Sequence, residues 1–266
     1  LAEKGHEIII LTRDINSAKV RVPVVCKIIE WDPLKPLSHM EDNIDVVINL
    51  CGENVASGRW TSKRKQAIYN SRILATRNLI HYFRKNSHPI KAWISASAIG
   101  IYENPIVSDE SAPSGQGFLA KICKDWEEET FKARDLNIRT IAFRIGIVMG
   151  FDGGAMEKML PVFKLGLGGK ISSGNQWMSW IHVRDLAGLI VEAIDNPSFE
   201  GPVNAVSPNP VTNREFTSTL AGILKRPAFF PIPGWILKLL LGEMSRLLIN
   251  SQKISTDLPK IWGYKF

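Results

Sequence analysis

The stretch IKAWISASA, residues 90–98, is an apolar run that ends in small polar residues, as a buried strand does where it enters a loop. Similar runs recur at residues 7–12, 24–31, 44–52 and 137–150. Segments with helical spacing of apolar residues lie between them, at residues 60–86 and 117–135. This alternation predicts an α/β fold with a doubly wound parallel sheet that carries helices on both faces.

The pattern changes after Gly150. Residues 151–177 are rich in glycine, and residues 207–266 mix short apolar runs with prolines, whereas residues 178–206 return to a strand and a helix. We therefore expect one domain from residues 1–150 and 178–206, and a smaller C-terminal lobe from residues 151–177 and 207–266. The lobe is expected to cover the carboxyl ends of the strands, where open α/β sheets bind their ligands.

Composition restricts the class of protein without naming a partner. The net charge of +7 favours phosphorylated or anionic ligands in general. Three scattered cysteines form no disulfide framework and no zinc motif, which predicts a reducing, cytoplasmic compartment and no metal. No apolar run reaches the roughly 18 residues that would predict a membrane-spanning helix.

Two segments have alternative interpretations. Residues 57–72 carry a basic cluster around Trp60, which is either a nucleic-acid surface or a solvated helix face; we favour the solvated face and expect no nucleic-acid partner. The apolar segment 235–249 either lies on a membrane or packs as a helix pair. Because it is short and interrupted by Gly242, we favour packing and expect no membrane partner.

The ends of the predicted strands carry the candidate ligand contacts. Arg13 follows the first strand, where an arginine accommodates the 2′-phosphate of NADP, although a solvated strand end explains it equally well. Cys51 and Gly52 form either a close approach to a flat ligand or only a tight turn. Arg72 faces away from the basic cluster and is placed to reach a phosphate. His182 suits a hydrogen-bonding core position better than catalysis.

Several longer stretches, among them NLCGENVASGRW (49–60), SASAIGIY (95–102) and GFLAKICKDWE (117–127), are more specific. With residues 144–188 and 201–244, they resemble the atypical branch of the short-chain dehydrogenase/reductase superfamily, the NAD-dependent epimerase/dehydratase-like oxidoreductases. The resemblance implies a Rossmann-type domain that binds NADP(H). The cofactor contacts that it implies are Thr12, Arg13, Leu50, Cys51, Arg72, Ser95 and Val148. The substrate side that it implies consists of Asn175, Gln176, Trp177 and His182.

The sequence departs from this family pattern at two places. A glycine-rich phosphate loop is expected about twenty residues before Leu1, so we expect the sequence to begin within the first helix of the fold. Typical members also carry Tyr-x-x-x-Lys on the helix after the serine strand, where lysine lowers the pKa of the tyrosine. Phe118 and Ile122 occupy those two places here.

With the dyad absent, the remaining catalytic candidates are Ser97, Tyr102 and Lys121. The favoured hypothesis is an NADP(H)-dependent oxidoreductase that acts on a small carbonyl or nucleotide-linked substrate. The alternatives are an NADPH-binding sensor or scaffold without catalysis, and a sugar-nucleotide epimerase or dehydratase. By analogy with the superfamily, a homodimer through the helix 117–135 is possible.

Overall fold

The computed structural model describes residues 1–38, 40, 43–86, 89–102, 106–107, 109–151, 153–255 and 257–266. Strands and helices alternate along the first part of the chain, as the sequence predicts. In chain order these elements are β1 (Ile9–Thr12), α1 (Ile15–Arg21), β2 (Lys27–Glu30), β3 (Val46–Asn49), α2 (Ser62–Asn86), β4 (Ala92–Ala98), β5 (Ile106–Val107), α3 (Phe118–Phe131), β6 (Arg139–Ile145) and β7 (Ile147–Met149).

The elements after residue 150 are shorter on average, and four of the five strands among them have two or three residues. They are α4 (Gly154–Lys164), β8 (Trp177–Met178), β9 (Trp180–His182), α5 (Val183–Asp195), β10 (Gly201–Ala205), β11 (Val211–Thr212), α6 (Asn213–Leu224), α7 (Gly234–Leu241), α8 (Arg246–Ile249), β12 (Lys253–Ile254) and α9 (Asp257–Ile261). Among the described residues, no helix combines the length and apolarity that crossing a membrane requires.

A parallel sheet forms the centre of the fold, which confirms the predicted α/β class. Four strands pair in the order β10-β6-β4-β3, all in parallel. Strands β1 and β2 pair in parallel as a separate two-stranded sheet. Because the paired strands run in the same direction, their carboxyl ends lie at one edge of the sheet. Leu50 and Cys51, two of the candidate ligand contacts, directly follow β3 at that edge.

Apolar side chains from successive residues of β4 fill the two faces of the sheet. Trp93 packs with Leu79 and Phe83 of α2, and its ring lies 6.0 Å from the Phe83 ring, edge to face. The next residue, Ile94, packs with Leu189 of α5 on the opposite face. Successive side chains in a strand point to opposite faces, so a run that is apolar at both positions requires helices on both sides.

The predicted strand 137–150 is divided into two strands at Gly146. β6 pairs with β4 and β10, whereas β7 pairs with β9. A side chain at residue 146 would lie 2.6 Å from the carbonyl oxygen of Ser179 and 2.8 Å from Val206. Glycine is therefore required where the chain changes partner, and the apolar run 137–150 is longer than either strand that it forms.

The segment 235–249 packs by one side against the sheet domain. Leu241 and Met244 lie in an apolar cluster with Trp60, Ile68 and Ile122. The end of the chain returns to the core around α5. There the Trp262 ring lies 4.7 Å from the Phe199 ring, and the Tyr264 hydroxyl donates a hydrogen bond to the Asp185 carbonyl at 3.0 Å.

We predict opposite effects of alanine at two glycines. A methyl group at residue 169 would lie 1.7 Å from the Phe230 carbonyl oxygen, whereas at residue 222, within α6, no atom lies within 4 Å. Gly169→Ala should lower the free energy of unfolding by about 1–3 kcal/mol through overpacking. Gly222→Ala should raise it by about 0.5–1 kcal/mol through helix propensity. Urea denaturation measures both, and a stable Gly169→Ala protein would contradict the close approach.

Candidate functional site

An ion pair joins the residues that follow β1 and β3. The Arg13 Nη2 atom lies 3.7 Å from the Glu53 carboxylate, which also pairs with Arg64 at 2.9 Å. The Arg13 side chain is 70% exposed, so its guanidinium remains open to a ligand from solvent. Thr12, beside it, turns its hydroxyl back toward the chain and accepts from the backbone N–H of Asp14 at 3.2 Å.

The turn after β3 presents one side chain and buries its neighbours. Asn49 is buried, donates to the Thr76 hydroxyl at 2.9 Å and accepts from the backbone N–H of Cys51 at 3.2 Å. Leu50 is 58% exposed, whereas Cys51 packs against the core below. Burial raises the pKa of the Cys51 thiol, and the charge of Arg13 partly opposes that shift. An exposed leucine on a fixed turn suits one face of a planar ring.

Arg72 supports the same turn from beneath. Its Nη1 atom donates to the carbonyl oxygens of Glu53 at 3.1 Å and Ile68 at 3.0 Å, and its guanidinium carbon lies 5.2 Å from the Trp126 ring centre. A side chain at Gly52 would lie 2.9 Å from that guanidinium carbon. Burial lowers the pKa of Arg72. Within the described part of the chain, no carboxylate lies within 4.0 Å of it, so Arg72 keeps a positive potential behind the turn.

The structure thus brings five of the seven predicted cofactor contacts to one place, around the ends of β1 and β3. These are Thr12, Arg13, Leu50, Cys51 and Arg72. Val148 lies on another strand, β7, and packs against the core beside α5. Ser95 is fully buried, and its hydroxyl accepts from Thr130 of α3 at 3.2 Å. Ser95 therefore faces a helix in this structure.

Ser97 belongs to a buried row of polar residues across the sheet. It stands in register with Arg144 of β6, which is in register with Asn204 of β10. Register partners in a sheet share a face, so the three side chains point to the same side. On that side the Glu127 carboxylate of α3 accepts from the Ser97 hydroxyl at 2.7 Å and from the Arg144 Nη2 atom at 2.8 Å.

Tyr102 closes this row from the loop after β4. Its hydroxyl donates to the Asn204 side-chain oxygen at 2.8 Å and accepts from Arg144 Nη1 at 2.7 Å. Burial raises the pKa of Tyr102, and Arg144 partly opposes that shift. Nearby Glu110 accepts from the backbone N–H of Asn204 at 2.8 Å, and burial raises its pKa as well. Both predicted catalytic hydroxyls, of Ser97 and Tyr102, are therefore held by buried partners.

Apolar packing occupies the place of the family's tyrosine. The Phe118 ring lies 5.1 Å from the Trp60 ring, edge to face, within the apolar cluster that also contains Leu241 and Met244. Lys121, one turn further on, points to solvent and pairs with Asp125 at 2.7 Å, an acceptor that it shares with the Tyr69 hydroxyl. Ser97 and Lys121 thus bind different carboxylates of the same helix.

The predicted substrate residues lie around β8 and β9, with separate partners. Asn175 is exposed and accepts from Arg214 at 3.2 Å, whereas Gln176 is buried and donates to the Ile171 carbonyl at 3.0 Å. The Trp177 ring lies 4.3 Å below the Lys253 ammonium group. His182 caps α5, because its Nδ1 atom accepts from the backbone N–H of Arg184 at 3.2 Å. That contact fits the hydrogen-bonding interpretation of His182.

Sequence reasoning missed three residues that organise this region. Glu53 joins the two sheets, and Lys158 of α4 donates to the Ala56 carbonyl at 3.0 Å, across the loop that follows β3. Glu127 holds the polar row. It was detectable, because it falls on the buried face of α3 beside Trp126, where a charge requires a partner.

Comparison with known proteins supports the same fold. The family model described as the NAD dependent epimerase/dehydratase family matches residues 1–206. A chloroplastic epimerase family protein SDR39U1 homolog of Arabidopsis thaliana is 36% identical, over 100% of this chain and 78% of the relative. The epimerase family protein YfhF of Bacillus subtilis is also 36% identical, over 100% of this chain and 88% of the relative.

Solved structures of related proteins have the same fold as this chain. The crystal structure of human epimerase family protein SDR39U1 with NADPH is 31% identical and has a TM-score of 0.86, covering 100% of this chain and 88% of that one. A UDP-galactose 4-epimerase structure, 18% identical, has a TM-score of 0.73 over 100% of this chain and 86% of that one, which shows a shared fold. The chain therefore belongs to the NAD dependent epimerase/dehydratase family.

Proposed function

We propose that this protein binds NADPH at the carboxyl ends of β1 and β3. The observation that carries the proposal is the exposed Arg13 guanidinium beside the turn of Leu50 to Gly52. An arginine at the end of this strand suits the 2′-phosphate of the adenosine ribose. The human relative, whose solved structure is described as a complex with NADPH, supports the choice of cofactor.

The residues at this edge fit the parts of a dinucleotide. Arg13 and Thr12 would hold the phosphate-bearing ribose, while Leu50 would lie against a planar ring and Cys51 would fix the turn below it. Gly52 lets the backbone approach closely, and Arg72 adds positive charge behind it. Glu53 pairs closely with Arg64 and more loosely with Arg13, which leaves Arg13 free to turn toward an anion.

Titration of the full-length protein with NADPH and with NADH, followed by nicotinamide fluorescence, tests this site. We expect NADPH to bind more tightly. Arg13→Gln should weaken NADPH binding by about tenfold and leave NADH binding unchanged, because only NADPH carries the 2′-phosphate.

Arg84→Gln is the matched control. Arg84 is also an exposed arginine in a loose ion pair, with Asp135 at 3.4 Å, but it lies at the far end of α2. Its removal should change neither affinity. Equal weakening of both cofactors by Arg13→Gln would contradict the 2′-phosphate contact, and no binding of either cofactor would contradict the proposed function.

We infer further that the bound cofactor serves oxidoreduction of a small carbonyl or nucleotide-linked substrate. NADPH supplies the hydride when bound, and the protein contributes orientation and exclusion of water. The substrate carbonyl takes up the hydride and one proton and becomes an alcohol, while NADPH becomes NADP⁺. A weak acid such as Tyr102, or water, supplies the proton, because Phe118 has none to give. Ser97, Tyr102 and Lys121 remain the candidate catalytic residues, and the substrate side remains assigned to residues 175–177 and 182.

A second function, NADPH binding without catalysis, is favoured by one specific observation. The place of the usual catalytic phenol is filled by Phe118, which is packed against Trp60. The two hydroxyls that would replace it, of Ser97 and Tyr102, each have buried polar partners. A sensor or scaffold would keep the cofactor contacts at Arg13 and need none of these groups. A screen for oxidation of NADPH with small carbonyl compounds separates the two functions.

Tyr102→Phe distinguishes a structural hydroxyl from a catalytic one. Removing the phenol oxygen removes one hydrogen bond from Asn204 and one from Arg144. We therefore expect the free energy of unfolding to fall by about 1–2 kcal/mol, with NADPH affinity unchanged. Because burial raises the pKa of Tyr102, its phenol should ionise at a higher pH than an ordinary tyrosine, which the difference between the ultraviolet titrations of the unchanged protein and of Tyr102→Phe would show.

Tyr69→Phe provides the control, since the Tyr69 hydroxyl donates to a partly exposed carboxylate, that of Asp125. Its loss should cost less than about 1 kcal/mol. If Tyr102→Phe abolished turnover while stability stayed unchanged, the phenol would be acting on substrate instead of supporting the fold.

The remaining assignments stay predictions. A reducing, cytoplasmic compartment is consistent with three cysteines that are all free, Cys26, Cys51 and Cys123. The relative in Arabidopsis thaliana is described as chloroplastic. Microscopy of a fluorescently tagged copy tests the compartment of this protein. A homodimer through α3 would bring together a face that exposes Lys121, Lys124 and Glu128.

A further inference from the structure

Helix α7 is covered on one side only. Leu237 is buried, and Leu241 packs in the cluster around Trp60. The opposite side of the helix carries Trp235, which is 67% exposed, and Leu239, which is 68% exposed. Positions 235 and 239 are one turn apart and share a face, whereas 237 and 241 share the other. The helix therefore satisfies the packing interpretation of its sequence and still leaves an apolar face bare.

The loop before α7 also exposes apolar side chains. Phe229 is 82% exposed and Phe230 is 60% exposed. The backbone beneath them is fixed, because the Ile232 N–H donates to the Lys170 carbonyl at 2.9 Å and its carbonyl accepts from Ser172 at 2.9 Å. With Leu240 on the flank of the helix, these side chains form what we call the 229–240 surface. Its members are Phe229, Phe230, Trp235, Leu239 and Leu240.

The charged residues within the segment 223–242 have one sign, and Glu243, which follows it, pairs with Lys65. Residues 223–242 contain Lys225, Arg226 and Lys238 and no acidic residue. All three cations are exposed, and none of them pairs with a carboxylate in the part of the chain that the structure describes. Exposed aromatic and leucine side chains with lysine and arginine at their margin are typical of segments that lie in a membrane interface.

We propose that the 229–240 surface binds the surface of an anionic membrane, in contrast to the expectation of no membrane partner drawn from the sequence. The phenylalanine and tryptophan rings would enter the boundary between headgroups and acyl chains, and the three cations would meet lipid phosphates. Charge argues against a second copy of this chain, because two such surfaces would bring like charges together. Protruding side chains also suit a soft lipid surface, whereas a protein partner needs a matching pocket for each. The NADPH site involves other residues, so this proposal stands independently of the proposed function.

Sedimentation with lipid vesicles tests the proposal. The full-length protein is mixed with phosphatidylcholine vesicles, with and without phosphatidylserine, at low and at high salt. We expect binding to the vesicles that contain phosphatidylserine, little binding to phosphatidylcholine alone, and loss of binding as salt rises. Absence of binding to either kind of vesicle at low salt would overturn the proposal.

Variants separate the apolar contribution from the charge. Trp235→Ser combined with Leu239→Ser should weaken vesicle binding at least tenfold. Each change of Lys225, Arg226 or Lys238 to glutamine should weaken it about fivefold. Because these side chains are exposed, the variants should fold, which an unchanged NADPH titration or circular dichroism spectrum would show.

Val20→Ser and Lys19→Gln, both on α1, are the matched controls. Val20 is 87% exposed and lies outside the surface, and neither change should alter vesicle binding. Equal loss in the control and test variants would overturn the proposal. So would concentration-dependent dimerisation that the Trp235 and Leu239 variants abolish, because the surface would then join two copies of the chain.

Discussion

The buried ion pair between Glu127 of α3 and Arg144 of β6 fixes the carboxyl half of the sheet. The two groups meet at 2.8 and 2.9 Å through two hydrogen bonds, and both side chains are less than a tenth exposed. A buried charge that loses its partner lowers the free energy of unfolding by about 3–5 kcal/mol. Any other position of α3 on the sheet would separate Glu127 from Arg144 and incur that loss. Ser97, Tyr102 and Asn204 complete the row, and their hydrogen bonds satisfy what the ion pair leaves open.

This row explains how the protein differs from a reductase with the usual dyad. The serine at the end of β4 and a tyrosine in the following loop are both present, but each belongs to the polar row that supports α3. Phe118, at the start of the same helix, joins an apolar cluster with Trp60 instead of facing a substrate with a phenol. The proposed NADPH-binding edge near β1 and β3 does not depend on any of these groups. Cofactor binding and proton transfer are therefore separable in this fold, and the contacts support the first more directly than the second.

The segment 235–249 has two differently used faces. Met244 and Leu241 seal the cluster over Phe118, and Lys65 pairs with Glu243 beside it. The other face of α7 contributes nothing to this packing and carries the exposed Trp235 and Leu239. One short helix thus closes the sheet domain and presents an apolar, cationic surface. A helix with leucine or tryptophan on both faces is ordinarily buried on both faces in a monomeric protein.

Local patterns were enough to predict the principal strands and helices before residue 150, the parallel class of the sheet and the candidate contacts at strand ends, because periodicity and glycine placement are local properties of a chain. The sequence also determined that Phe118 and Ile122 replace the dyad. The folded chain was needed to show that Arg13 and Glu53 meet across two sheets and that Arg72 lies under Gly52. It was also needed to show that Ser97 binds Glu127 and that Tyr102 binds Arg144 and Asn204. Those outcomes depend on which strands become neighbours and which face each side chain takes. A one-residue change of register reverses the face, and no local pattern records it.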